Sequence, residues 1–104
     1  MGLYRIQYTP LAAEDINEID VYISETLCNP DAAEKLLTKM EQQIRRLQQY
    51  PHLGYIVDDP YLASRGYRKL IVDNYLVFHL VDDANEVIII MRVLYGTREY
   101  RDLL

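Results

Sequence analysis

Apolar residues recur at spacings of three and four through the first half of the chain and crowd into short runs through the second, with the change near residue 51. Tyr4 to Tyr8 alternates apolar and polar positions around Ile6, which predicts a short strand. Thr9-Pro10 ends it and starts a helix, because a threonine hydroxyl caps free amides and proline at the first helical position has no amide to leave unpaired. Ala12, Ile16, Ile19, Ile23 and Leu27 then form one apolar stripe, predicting a helix to about Leu27. Asn29-Pro30 repeats the start signal. The second helix carries Ala33, Leu36, Leu37, Met40, Ile44 and Leu47 on one face, with Lys35, Lys39, Glu41, Arg45 and Arg46 largely off it. A connection as short as Cys28-Asn29 makes an antiparallel helical hairpin the simplest arrangement.

Pro51-His52-Leu53-Gly54 stops the second helix, and residues 55 to 66, with Asp58-Asp59-Pro60 and Gly66, read as a loop. From Tyr67 the pattern turns to strand. Tyr67 to Val72, Tyr75 to Val81 and Val87 to Leu94 are rich in Val, Ile, Leu, Tyr and Phe and are separated by Asp73-Asn74 and Asp82-Asp83-Ala84-Asn85, which predicts two hairpins in series. Val87-Ile88-Ile89-Ile90-Met91 is apolar on both pleat faces, so this strand is either central and covered on both sides or an exposed partner site. Arg98 to Leu104 is too short to choose between a closing helical turn and an extended tail. The expected fold is α+β, in the order β-α-α-β-β-β.

A length of 104 residues with 50% hydrophobic positions suits one domain spanning 1–104. No apolar run reaches the roughly 20 residues of a membrane span, and Met1 to Arg5 lacks a signal peptide's apolar stretch, so a cytoplasmic address and no membrane partner are expected. Cys28 is alone and is expected to be buried or inert. His52 and His79 are the only histidines, which argues against a zinc-type cluster, and neither metal nor cofactor is expected. Of the net charge of −5, Glu14, Asp15, Glu18, Asp20 and Glu25 carry all, since no Lys or Arg lies among residues 10–27. Such a chain is a poor general nucleic-acid binder, because phosphate contacts need a basic face.

Searches for catalytic patterns mostly return negatives. Gly2, Gly54, Gly66 and Gly96 are too scattered for a phosphate-cradling loop, which excludes nucleotide hydrolysis. His79 on a strand has the chemistry of a general base, although a lone strand histidine is more often a packing residue. A stronger candidate is the concentration of Arg68, Lys69, Arg92, Tyr95, Arg98 and Tyr100 on and after the sheet. These residue types hold phosphates and stack bases, and they also anchor protein partners.

The order strand, helix, helix, three strands, with Tyr50-Pro51-His52-Leu53-Gly54, Gly66-Tyr67-Arg68-Lys69, Asn74 to Asp83 and Met91 to Arg98, resembles the RelE/ParE superfamily of bacterial toxins over nearly the whole chain. The resemblance implies a curved antiparallel sheet against a helical hairpin. It also implies growth arrest, a role in plasmid stabilization, and a cognate antitoxin that binds and silences the toxin. The superfamily holds two activities. RelE-like members cleave mRNA on the ribosome without a metal, using basic residues on the sheet and a nearby proton-transfer group. ParE-like members poison DNA gyrase by binding.

Matching the middle strand puts the nucleases' expected arginine at Leu76, and loss of a fixed charge at a developing phosphorane costs several kcal/mol. Tyr95 and Gly96 stand where such enzymes carry histidine or arginine. The chain is therefore expected to be ParE-like, with no catalytic residues and with gyrase as target. Target contacts are expected at Arg68, Arg92, Tyr95, Arg98 and Tyr100; antitoxin contacts at Glu14, Asp15, Glu18, Ile88 and Ile90. The alternatives are a ribosome-dependent mRNA endonuclease using Arg68, Lys69, Tyr95, Arg98 and Tyr100, or a degenerate member that only binds its antitoxin.

Overall fold

A computed structural model describes residues 2–104. Strand β1 (Arg5–Tyr8) leads into helix α1 (Pro10–Val21), which runs on through a π-type turn over Tyr22–Thr26. After a short connection comes helix α2 (Pro30–Gln49), then strand β2 (Tyr55–Ile56), the one-turn helix α3 (Pro60–Ser64) and strands β3 (Arg68–Val72), β4 (Tyr75–Asp82) and β5 (Val87–Tyr95). A 3₁₀ turn over Arg101–Leu103 closes the chain. The proline signals behave as expected: the Thr9 side chain accepts from the Ala12 amide at 3.0 Å and that of Asn29 from the Ala32 amide at 3.1 Å. Cys28, between the helices, adopts φ 53° and is exposed rather than buried.

The strands form one sheet in the order β1-β5-β4-β3-β2. Strands β3, β4 and β5 are antiparallel, as expected, and β2 adds to β3 in the same sense, but β1 joins β5 in parallel, with Ile6 opposite Ile88, so the sheet is mixed. The helical connection between β1 and the rest of the sheet makes this geometry accessible, since parallel neighbours need a long crossover. The segment read as a loop over 55–66 contains β2 and α3. In α3, Asp59 accepts from the amides of Tyr61 and Leu62 at 3.0 and 3.1 Å, and Pro60 follows it, the same cap-and-proline signal compressed into one turn.

Helices α1 and α2 cover one face of the sheet. Leu36, Met40, Ile44 and Leu47 of α2 pack with Leu70, Val72, Val77, Ile88, Ile90 and Val93. On the other face Phe78 and Leu94 meet Val57, Leu62 and Tyr67, and the tail residues Tyr100, Leu103 and Leu104 pack against them. Strand β5 is thus central and covered on both sides, which settles the two readings of its apolar run. Ile88 and Ile90 have no accessible surface. They are core residues facing the helices and not an antitoxin contact.

Candidate functional site

Strand β1 ends before β5 does, so residues 91–93 of β5 would present bare backbone at the sheet edge. Thr9 and α1 supply the missing partners: the Thr9 hydroxyl donates to the Met91 carbonyl at 2.8 Å, and Asp15 accepts the Val93 amide at 3.0 Å. The same Asp15 carboxylate receives Nε and an Nη of Arg92 at 2.7 and 2.8 Å. Only 12% of the Arg92 side chain and 8% of that of Asp15 are exposed. The hydrogen bonds to Asp15 hold the Arg92 guanidinium above its usual pKa. Arg92 also donates to the Leu103 carbonyl at 3.3 Å, tying helix, sheet and tail together. Asp15 and Arg92 are therefore committed to each other. Neither is free to meet an antitoxin or a target, and sequence could not show a pairing across 77 positions.

Beyond this clamp a cleft of about 980 Å³ opens between the helical hairpin and the ends of β4 and β5. Ile19, Ile23, Leu27, Leu36, Tyr75 and Leu94 give it apolar walls, and Tyr22 and Tyr95 stand at its mouth, 52% and 46% exposed. Tyr75 meets Tyr95 edge-on with ring centroids 5.4 Å apart. Burial, then the neighbouring Tyr95 and Tyr22, raise the Tyr75 phenol above its ordinary value, so it stays a hydrogen-bond donor at neutral pH. Glu18 and Asp73 add acid to the lining, and Arg98 is its one cation. The π-type turn at Tyr22–Thr26 forms part of this wall, a local widening of the helix that recurs at functional sites. Tyr22 was not singled out from sequence, because it lies off the apolar stripe of α1.

The basic and aromatic candidates do not converge. Arg68 donates through one Nη to the carbonyls of His52 and Gly54 at 2.8 and 2.7 Å, fastening the turn before β2. Tyr95 pairs with Tyr75 and Tyr75 with Val72, which places Arg68 four residues back along β3 and two strands across from Tyr95. At a strand's rise that is about 13 Å along the strand direction alone. Tyr100 stacks on Phe78 at 4.8 Å on the outer face, half-buried. Lys69 lies opposite Tyr55 and Phe78, and Arg98 sits with Tyr95 at the cleft. Leu76 packs into the outer core, and a side chain at Gly96 would approach its Cγ at 3.9 Å and the Asn74 carbonyl oxygen at 3.1 Å.

The histidines also take structural places. His79 has no accessible surface, and its Nδ1 lies 3.1 Å from the Val77 carbonyl oxygen. Burial pushes its pKa down to about 4, so it is neutral at pH 7 and enclosed, unable to reach a substrate as a base. His52 Nε2 lies 3.1 Å from Asp83 Oδ1, which also accepts the Tyr4 hydroxyl at 2.7 Å. Among the described residues no group of three or more His, Cys, Asp or Glu is placed to hold a metal, and no helix is long and apolar enough to cross a membrane.

The sequence model of the ParE toxin of type II toxin-antitoxin systems, parDE, matches residues 6–100. The chain belongs to this family. No curated protein matches its sequence. Among solved structures, the ParE-family chain is similar to one from the chromosomal ParDE system of P. aeruginosa at 23% identity and TM-score 0.71, over 89% of this chain and 96% of the other. It is similar to a chain of the RelBE2 toxin-antitoxin complex of Mycobacterium tuberculosis at 19% identity and TM-score 0.63, over 89% and 98%. A chain of the E. coli RelBE complex matches at 12% identity and TM-score 0.61, over 91% and 99%. At these identities the likeness is one of fold, and it bears out the α+β reading.

Proposed function

We propose that this ParE-family toxin arrests growth by binding an essential target, DNA gyrase, and that a cognate antitoxin holds it inactive. The observation that carries the first part is the dispersal of the nuclease candidates. Arg68 is occupied by backbone carbonyls and Tyr100 by Phe78, Tyr95 lies at the opposite end of the sheet from Arg68, and Leu76 replaces the expected arginine. A metal-independent ribonuclease needs a proton-transfer group and several fixed charges within reach of one phosphate; of the candidates only Tyr95 and Arg98 come together, at the cleft, without the second cation that Arg68 or an arginine at position 76 would add. The antitoxin's seat is the cleft. Its apolar walls and the exposed Glu14 and Glu18 suit a helix with aliphatic anchors on one side and Lys or Arg on the other. Glu14 and Glu18 thus keep the role expected of them, while Ile19, Ile23 and Leu27 take that given to Ile88 and Ile90.

The test is induced expression with two assays run in parallel on the purified protein, gyrase supercoiling and mRNA cleavage in a translating extract. Inhibition of supercoiling with intact message is expected. Ribosome-dependent cuts that vanish in Arg98→Ala would overturn the proposal and establish the endonuclease instead.

A further inference from the structure

The cleft accounts for one group of exposed apolar residues, and a second group lies elsewhere. Tyr55 is 65% exposed, Tyr61 64% and Ile71 57%. Tyr55 pairs with Lys69 and Lys69 with Phe78, so all three side chains point to the outer side of the sheet, and Ile71, two residues on, points the same way. Helix α3 lies over that side too, because its Leu62 is buried in the outer core with Phe78. With Leu62 turned inward, Tyr61 and Arg65 are left at the surface. They are already paired: the Arg65 guanidinium carbon sits 5.9 Å from the Tyr61 ring centroid, and an Nη donates to the Tyr61 hydroxyl at 3.1 Å.

We infer that Tyr55, Tyr61, Arg65, Lys69 and Ile71 form the surface by which the protein grips its cellular target, and that this surface takes an acidic protein segment. The inference rests on the reading that the chain acts by binding a protein. Two observations select the partner's chemistry. First, residues 50–72 hold three cations, Arg65, Arg68 and Lys69, against two acids, Asp58 and Asp59, in a chain whose net charge is −5. Asp59 is occupied by Arg101 at 2.7 Å and by the α3 amides. Among the described residues Arg65 and Lys69 have no carboxylate partner, so an acidic segment would complete charges that the protein leaves open. Second, tyrosine and arginine dominate binding energy at protein interfaces, and here they are fixed in advance. Asp59 caps α3, Pro60 starts it and Gly66 at φ 87° ends it, which fixes the backbone, and the Arg65 hydrogen bond to Tyr61 restrains both side chains, so less freedom is lost on contact. Nucleic acid fits less well. The flanking Ile71 offers phosphate nothing, and so few free cations on an acidic chain give little counterion release.

The double variant Arg65→Glu with Lys69→Glu tests this, with Ile71→Ser as a second variant whose exposed position spares the fold. Each is induced in cells and melted as purified protein. The expected result is growth arrest weakened at least about tenfold in the double variant and measurably in Ile71→Ser, with melting temperatures near that of the parent. Unchanged arrest in folded variants overturns the inference. So does binding of a single-stranded RNA or duplex DNA oligonucleotide that the double variant loses, since the face would then read nucleic acid. If the parent arrests growth but leaves gyrase supercoiling intact, the gyrase assignment fails, and this inference is still decided by the growth assay. A parent that arrests nothing defeats both.

Discussion

The sheet face under α1 and α2 is closed by a 20-residue helix, and its buried cluster has eleven members; the opposite face is closed by one helical turn and a tail, over a buried cluster of five. Burial of apolar surface is worth roughly 25 cal/mol per Å², so the helix side carries most of the stability. The outer side is held instead by two polar fastenings, Arg92 to the Leu103 carbonyl and Arg101 to Asp59. A face with a thin core and specific latches can present surface groups without being the part that makes the protein fold. This difference is why the proposed target face and the folding core lie on opposite sides.

The sharpest way to break that division is Arg92→Ala, because this side chain serves both faces at once. Removing it leaves the Asp15 carboxyl group, 8% exposed, with only the Val93 amide and solvent as partners. Breaking one partner of a buried pair costs about 3–5 kcal/mol, and a loss of that size in urea unfolding is expected. A loss below about 1 kcal/mol would mean that the clamp is dispensable and that Arg92 is available for contacts after all.

How much of this was legible in the sequence follows from range. Thr9-Pro10, Asn29-Pro30 and the stripes from Ala12 to Leu27 and from Ala33 to Leu47 are local patterns, and they gave both helices to within a few residues. The three later strands were equally local. The parallel pairing of β1 with β5, the Asp15 to Arg92 clamp and the cleft depend on residues about 80 positions apart, where periodicity carries no information. The acidic run was read as one surface, yet Asp15 turned inward while Glu14 and Glu18 stayed out. A helix puts Glu14 and Glu18 on one face and turns Asp15 away from Glu14, and only the position of β5 decides which is buried. For the same reason the six residues gathered as one patch were scattered over two faces and both ends of the sheet.

The second prediction concerns pH. His79 titrates near 4 when folded, below its ordinary 6.5, because burial disfavours the cation. Between those values the unfolded chain binds a proton that the folded one does not, so stability falls as pH drops from about 6.5 to about 4 and is indifferent to His79 above that window. At about 1.4 kcal/mol per unit the whole window amounts to roughly 3 kcal/mol. Unfolding free energies at pH 7 and pH 4.5, with His79→Gln as the control that removes this slope, check it. A parent slope unchanged in the variant would assign the acid sensitivity elsewhere.

Deleting Tyr100 to Leu104 measures the thin face directly. A short tail that buried little would cost less to remove than the side chain lost in Ile19→Ala. Tyr100, Leu103 and Leu104 are half-buried against Phe78 and Leu94, and Arg101 holds Asp59, so the deletion should cost about 2–3 kcal/mol, no longer less than Ile19→Ala, as Ile19 is itself only half-buried. Loss of toxicity on deletion is consequently no measure of target contact unless stability is followed alongside it.

The smallest effects set one ion pair from each face side by side. Lys39 to Asp73 joins α2 to the turn before β4, with both side chains about half exposed, and such a pair contributes at most about 1 kcal/mol. Arg101 to Asp59 looks similar by distance, but the Asp59 side chain is 8% exposed and caps α3 as well. Arg101→Ala should therefore cost somewhat more than Lys39→Ala, because it leaves a nearly buried carboxylate to the α3 amides and solvent, while Asp59→Ala should cost about 1–2 kcal/mol through the lost cap. If Asp59→Ala proves as mild as Lys39→Ala, α3 is held by Leu62 alone. The Tyr61 and Arg65 pair would then be free to tilt, and a tilting pair would weaken the claim that it is fixed in advance for a partner.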